Sequence, residues 1–247
     1  MNKKYIVIIF VVLVCFVLAI YGCVKSSNSS KAKVEKSKND MTYEEFQKEF
    51  GEYNWNDEEI REDNYHYYED EFFSRKYAKF IECEIKIVNK EAFLIINNTA
   101  DENFGSVRTT IIFYDENNEI IDVQSKYTDE LECGGKTYNS LIRFPLNYAK
   151  VDFFNEVDKP EDNSNLRISN IKCELSIDGN VKITNTNTED CKSVCGIVFF
   201  YDEQGNISDS SYFYFTDGIK PDESKTEKLY NFPSSYASYE ILIHSLR

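Results

Sequence analysis

Ile111-Ile-Phe-Tyr-Asp-Glu116 and Val198-Phe-Phe-Tyr-Asp-Glu203 carry the same pattern 87 residues apart. Each is an apolar run closing on Tyr-Asp-Glu, followed by a polar turn and an isoleucine, Ile120 or Ile207. A short apolar run bounded by turn residues reads as a strand. Asn and Gly tolerate positive φ, so the two Tyr-Asp-Glu turns read as hairpins. The match extends outward. Upstream, Ile81, Cys83, Ile85 and Ile87 alternate with Glu82, Glu84 and Lys86. Ile171, Cys173, Leu175 and Ile177 alternate in the same way with Lys172, Glu174 and Ser176. Period-two alternation of this kind is a half-buried strand. Ile96-Asn-Asn-Thr99 answers Ile183-Thr-Asn-Thr186, and Phe144-Pro145 with Tyr148-Ala149 answers Phe232-Pro233 with Tyr236-Ala237. Between these blocks the offset drifts only from 90 to 87 to 88 residues, so the chain holds one unit written twice.

Each copy contains about six strand-like runs separated by turn signals, which predicts an antiparallel sandwich. The expected fold is mainly β: two tandem antiparallel β-sandwich repeats, at 80–157 and 169–247, with an acidic, Pro160-bearing linker at 158–168. With two copies and separate cores this is a tandem, not a solenoid. The repeats follow an N-terminal apolar helix at 1–23, a flexible Ser/Lys/Asn linker at 24–40 and a short helical, acidic, aromatic neck at 41–79. In the neck, Thr42 with Glu45 three positions later is a capping box, Tyr43, Phe46 and Phe50 follow at helical spacing, and Gly51 is a stop. The patch from Ile60 to Phe80 is expected to be helical too. Its rings either pack on the next domain or form a partner surface, for which Tyr65, Tyr67, Tyr68 and Phe72 are the candidate contacts.

The apolar run from Tyr5 to Val24 carries no charge and follows Lys3-Lys4. About 20 such residues span a bilayer. Two readings stay open: an uncleaved transmembrane anchor, or a signal in which Cys23 is lipidated. Ile20-Tyr21-Gly22-Cys23 resembles the lipobox of bacterial lipoproteins at Ile20 and Gly22 and departs from it at Tyr21. A short basic head before an apolar run reads as an export signal, placing the body outside the cytoplasm at the cell membrane. The lysines from Lys25 to Lys38 pull the other way under a positive-inside count.

A strand ending in Asn-x-Thr, an apolar strand closing on Phe-Tyr-Asp, and a turn into another strand make both repeats resemble the FxLYD-type domain, at Phe113-Tyr114-Asp115 and Phe200-Tyr201-Asp202. The family's later Pro-Gly-Glu/Asp turn is only partly present, as Pro221-Asp222-Glu223 in one copy and Cys133-Gly134-Gly135 in the other. The resemblance covers residues 80–247 and implies an Ig-like sandwich in a bacterial extracytoplasmic setting, often on a lipoprotein. It implies no catalytic residue.

The 247 residues carry 43 acidic against 28 basic side chains, a net charge of −15, which argues against nucleic acid as a partner. Two histidines leave little room for His-based catalysis, and no P-loop, Gly-x-Ser-x-Gly or Gly-x-Gly-x-x-Gly is present. Cys83 and Cys173 occupy equivalent inward positions and read as core. Cys191-x-x-x-Cys195 reads as a strained disulfide or as half of a metal site that nothing nearby completes. Asp115-x-Asn117-x-Glu119 imitates a calcium loop, but Ile120 stands where the loop needs Gly. His244, alternating with Ile241 and Ile243, is expected to face solvent. No metal or cofactor is expected. The function this predicts is a membrane-tethered binding or scaffolding protein of the bacterial envelope, with an unknown surface protein or glycan as partner. The alternatives are an envelope enzyme or accessory using carboxylates of the neck, and a cytoplasm-facing tethered sensor.

Overall fold

Residues 41–51, 60–160 and 167–246 are described by a computed structural model. The proposed anchor, Cys23, the 24–40 linker and most of the 158–168 linker lie outside these residues. Among the described residues no helix is long and apolar enough to cross a membrane. The chain divides into two units, Met1–Glu49 and Phe50–Arg247. Helix α1 (Tyr43–Phe50) starts on the expected capping box, Thr42 N–H donating to Glu45 at 2.7 Å and Glu45 N–H to Thr42 Oγ1 at 3.2 Å.

In the second unit, a 3₁₀ turn (Tyr65–Tyr67) and helix α2 (Glu69–Tyr77) lead through Ala78–Phe80 into twelve strands. The first repeat holds β1 (Ile81–Val88), β2 (Glu91–Asn98), β3 (Phe104–Tyr114), β4 (Ile120–Leu131), β5 (Lys136–Leu141) and β6 (Lys150–Asp158). The second holds β7 (Ile171–Leu175), β8 (Asn180–Asn185), β9 (Val194–Tyr201), β10 (Ile207–Phe215), β11 (Ser224–Lys228) and β12 (Ser238–Leu246). They form four antiparallel three-stranded sheets, β1-β2-β5 and β4-β3-β6 in one repeat, β7-β8-β11 and β10-β9-β12 in the other. The expectation of a mainly β, antiparallel, sandwich-like fold is met.

The blocks that match between the repeats turn out to be fastenings. In each turn after Tyr-Asp the aspartate carboxylate accepts two backbone N–H groups: Asp115 from Asn117 (2.8 Å) and Glu119 (2.9 Å), Asp202 from Gln204 (3.0 Å) and Asn206 (2.8 Å). Asn118 and Gly205 then take positive φ, 64° and 80°, at the same step of the turn. The Asn-Thr pair closes the loop after the second strand of each repeat. Buried Asn98 Nδ2 donates to the carbonyls of Glu102, Leu131 and Glu132, and buried Asn185 Nδ2 to those of Glu189 and Ile219. The following threonine hydroxyl donates to the carbonyl just before the first strand's end of the ladder, Thr99 to Phe80 and Thr186 to Asn170, both at 2.7 Å. These bonds supply partners for loop carbonyls that burial would otherwise leave unpaired.

The Phe-Pro and Tyr-Ala blocks form a third fastening. Phe113, Phe144 and Tyr148 make one ring triad with centroids 5.3–5.6 Å apart; Phe200, Phe232 and Tyr236 make its counterpart at 5.2–5.8 Å. Ala149 N–H donates to Tyr114 O at 2.7 Å and Ala237 N–H to Tyr201 O at 2.8 Å, tying the same corner.

Each repeat buries its own cluster between its two sheets. The first contains Leu94, Ile96, Val107, Ile111, Phe113 and Val157; the second contains Val181, Ile183, Val194, Val198, Phe200 and Phe213. Phe73 and Tyr77 of α2 belong to the first, with rings 6.0 and 5.9 Å from Phe104, and Ser74 Oγ accepts Val157 N–H at 3.0 Å. That part of the neck is therefore a lid on the first sandwich.

A third cluster, formed by Val88, Phe93, Ile95, Tyr138, Ile197, Phe199 and Leu242, lies between the repeats. It presses the outer face of β1-β2-β5 on the outer face of β10-β9-β12. β2 and β9 are thus buried on both faces, which is why Ala92-Phe-Leu-Ile-Ile96 and Gly196-Ile-Val-Phe-Phe200 are continuously apolar and not alternating.

Candidate functional site

The seam between the repeats combines a cluster of aromatic rings with a small network of ion pairs. At its centre Phe93 meets Phe199 edge-on, with centroids 5.2 Å apart and planes at 82°, and packs beside Tyr138 and Tyr212. Thr137 Oγ1 donates across the seam to Ile243 O at 2.8 Å, and Asn89 Nδ2 to Asp209 Oδ1 at 2.9 Å. Along one flank, Lys136 Nζ lies 2.6 Å and Lys86 Nζ 3.7 Å from the Glu240 carboxylate, while Tyr201 O–H donates to it at 2.7 Å. Lys86 also donates to the Tyr201 hydroxyl at 3.1 Å and sits 5.9 Å over the Phe199 ring.

Burial works to raise the Glu240 pKa, but hydrogen bonds from Lys136 and Tyr201, with the charges of Lys136 and Lys86, outweigh it and hold the carboxyl below its usual value. Burial, then the hydrogen bond to Glu240, pushes the Tyr201 phenol up. Tyr201 therefore stays protonated as donor and Glu240 stays ionised as acceptor, so this group fastens the repeats together and exchanges no proton near neutral pH.

Two clefts flank the seam. One, of about 390 Å³, is lined by Lys90, Glu91, Ser140, Arg143, Phe144 and Tyr212 among others. The other, of about 450 Å³, is lined by Glu82, Cys83, Glu84, Ile95, Asn97 and Lys136. Among the described residues, no three His, Cys, Asp or Glu side chains gather as metal ligands.

The residues singled out from sequence fall differently from expectation. Tyr65 and Phe72 are 3% and 1% exposed, so they are corrected from partner contacts to interior residues. Phe72 packs on Phe50 and, one helical turn back, on Tyr68, at 5.4 and 6.2 Å, and Tyr65 lies against His66 at 3.8 Å. Tyr68 is half-buried; Tyr67, 84% exposed, is the member of the set open to a partner. His244 does not face solvent. It shares the seam-facing side of β12 with Leu242, its ring 5.4 Å from Tyr138.

Cys83, Cys133, Cys173 and Cys195 are free thiols. Cys191 is buried in the second core. Cys195 lies across the seam from Tyr138, to which it is hydrogen-bonded, and burial raises its thiol. Cys83 and Cys173 pack on the two cores, and burial pushes them up to about 11 and about 12.

The sequence reading passed over the outer face of β4-β3-β6. On β4, Ile121, Val123 and Tyr127 point outward, 38%, 52% and 60% exposed, while Asp122, Gln124, Lys126 and Thr128 point inward. Phe154 of β6, 58% exposed, and half-buried Ile112 of β3 complete the patch. The readable signal was the alternation Ile121-Asp-Val-Gln-Ser-Lys-Tyr127, whose apolar phase is opposite to that of Ser211, Phe213 and Phe215 on β10. A paired exchange underlies it. Gly196 faces Phe213 in the second repeat, where a Cβ would stand 2.3 Å from the ring; Thr109 faces Lys126 in the first.

No protein-family model matches the sequence, and no curated protein matches it. A solved structure described as a chaperone–tip adhesin complex vital for synergistic activation of CFA/I fimbriae biogenesis aligns over 66% of this chain and 98% of its own. The identity is 10% and the TM-score 0.19, too low for the likeness to carry an argument.

Proposed function

We propose that this chain is a membrane-tethered, extracytoplasmic binding or scaffolding protein of the bacterial cell envelope, with two Ig-like modules of the FxLYD type and no catalysis of its own. One observation carries the reading. The two repeats are locked face to face by the Phe93–Phe199 cluster and the Glu240 ion pairs, so they act as one stiff body. A stiff body held on a tether suits spacing and presentation, because a partner that docks on it meets little conformational entropy cost. Exposed aromatics such as Tyr67, Tyr127 and Tyr214 supply contact area with few rotatable bonds. The tether is the apolar segment of residues 1–23, held either by lipid on Cys23 or by a spanning helix.

Two measurements test this. Protease shaving of intact cells, blotted for the second repeat, should digest the body while a cytoplasmic control survives; an intact body that is cleaved only after lysis would place it in the cytoplasm and overturn the reading. Labelling with a palmitate analogue separates the tethers. Label lost in Cys23→Ala identifies lipidation, and an unlabelled chain that stays in the membrane fraction identifies the helix.

A further inference from the structure

The cleft of about 390 Å³ beside the seam falls within the size range of small-ligand sites, about 300–1,000 Å³. Two cations belong to it. β2 and β5 share their last rung at Ala92 and Leu141, and two residues beyond it the chain ends carry Lys90 and Arg143. Both line the cleft, and among the described residues neither side chain makes an ion pair or a hydrogen bond. Both take positive φ, 71° and 59°, the region that favours glycine. The second repeat does without either cation. Its corresponding hairpin turns on Gly179, at φ of 75°, and Asn231 stands in the place of Arg143 by the 88-residue offset. The fold therefore requires neither charge, and two like charges set at adjoining strand ends repel each other.

The rest of the lining suits a hydroxylated ring. The Ser140 and Tyr212 hydroxyls meet at 3.1 Å, and the Tyr212 ring is 44% exposed. Burial, helped by the nearby Glu91 charge, pushes the Tyr212 phenol up, so it keeps its proton and can donate. Ile142 and Leu146 are exposed apolar walls. Glu91 is the acid of the lining, and against Lys90 and Arg143 it leaves one net positive charge there, in a chain of −15. Asp209 does not line the cleft and is engaged by Asn89 of the same turn at 2.9 Å. We propose that this cleft binds an anionic saccharide, with its carboxylate or phosphate at Lys90 and Arg143 and its ring on Tyr212. The sugar hydroxyls then bond to Ser140, Tyr212 and Glu91. A guanidinium meets such an oxyanion with two parallel N–H donors, and a rigid aromatic face adds contact area at little entropic cost. A bare anion would leave the ring and the hydroxyl pair unused. An acidic peptide would set its carboxylates against Glu91 and bring that group no hydroxyl. The inference rests on the envelope-binding reading above and narrows its partner to a glycan.

The test is titration calorimetry of the full chain in detergent micelles. The probes are tetragalacturonate, glucose 1-phosphate, maltotetraose, inorganic phosphate and tetraglutamate. Tetragalacturonate or glucose 1-phosphate should bind at least about tenfold tighter than the other three, and whichever does identifies the anion as carboxylate or phosphate. Lys90→Gly and Arg143→Asn give the cleft the residues of the second repeat. Each should weaken that binding at least about fivefold by removing a charge-assisted contact. Neither should lower Tm, because Gly and Asn tolerate the positive φ better than the residues they replace. Binding lost with Tm held separates a ligand site from a folding defect. Maltotetraose, inorganic phosphate or tetraglutamate binding as tightly as the anionic saccharides would overturn the proposal. So would no binding of either anionic saccharide, or variants that bind like the wild type. Protease shaving decides the envelope reading separately, so a digested body with a silent cleft refutes this site alone.

Discussion

Truncating Phe93 to alanine tests whether the seam joins the repeats energetically as well as geometrically. The ring is fully buried, meets Phe199 at 5.2 Å edge-on, and is flanked by Tyr138 and Tyr212 at 6.3 and 6.1 Å. It belongs to neither sandwich core, so nearly all the loss falls on the seam. Phe→Ala at a buried site costs about 3–5 kcal/mol from lost transfer energy and the residual cavity. Spread over a cooperative unit of this size, 1 kcal/mol lowers Tm by about 2–4 °C, so the variant should melt about 6–20 °C lower. Two outcomes of differential scanning calorimetry fit the reasoning. Either one transition moves down by that amount, or it splits into two as the repeats melt separately. Tyr214→Ala, on an exposed ring of the opposing sheet, is the control and should move Tm by no more than about 2 °C. An unsplit melt displaced no further than this control would mean that the seam does not couple the repeats, and the stiff-scaffold reading would lose its support.

Replacing Asn98 by Leu strands the carbonyls of Glu102, Leu131 and Glu132, so urea melts should show a loss of roughly 2–4 kcal/mol, with Asn185→Leu behaving alike in the second repeat. Gly205→Ala, forced to φ of 80°, should destabilise by about 1–2 kcal/mol; Asn118→Gly at the matching step should be neutral or slightly stabilising. Because the folded Glu240 pKa is depressed, its contribution is present above the unfolded value and is lost as pH falls through the folded one. Wild-type Tm should therefore fall on acidification below 4.5, and Glu240→Gln, less stable at neutral pH, should show a shallower acid fall. In alkylation followed by mass spectrometry near neutral pH, exposed Cys133 should react well before Cys83 and Cys173, whose thiols burial holds up at about 11 and about 12; fast modification of either would refute their placement.

What could be read from the chain was whatever depends on near neighbours. Period-two alternation at Ile81–Ile87 and Ile171–Ile177 sets which side of a strand is buried, and Asp115 and Asp202 nucleate their turns through backbone groups two and four residues on. Duplication made these local signals persuasive, since each block had a second instance. The candidate contacts were less legible. Tyr65 and Phe72 look like a binding surface in an acidic stretch, but both rings are buried in the second unit, Phe72 against Phe50 and Tyr68, because apolar ring area is covered inside the chain before it is left for a partner. His244 was misplaced for a related reason: alternation separates the two faces of β12 correctly but does not say that the second face lies against another sheet.

The sequence by itself therefore determined the strands, their turns, the repeat and the inner face of each sandwich, because pleat, turn chemistry and hydrophobic alternation act within a few residues. Only the tertiary structure decided which outer faces meet. Continuous apolar runs in β2 and β9 signal burial on both sides without naming the opposing surface. That pairing depends on contacts between residues about a hundred positions apart, such as Phe93 with Phe199 and Lys136 with Glu240. Complementary shape and charge across such a distance leave no local pattern in the chain, and they also leave the apolar face of β4-β3-β6 turned outward.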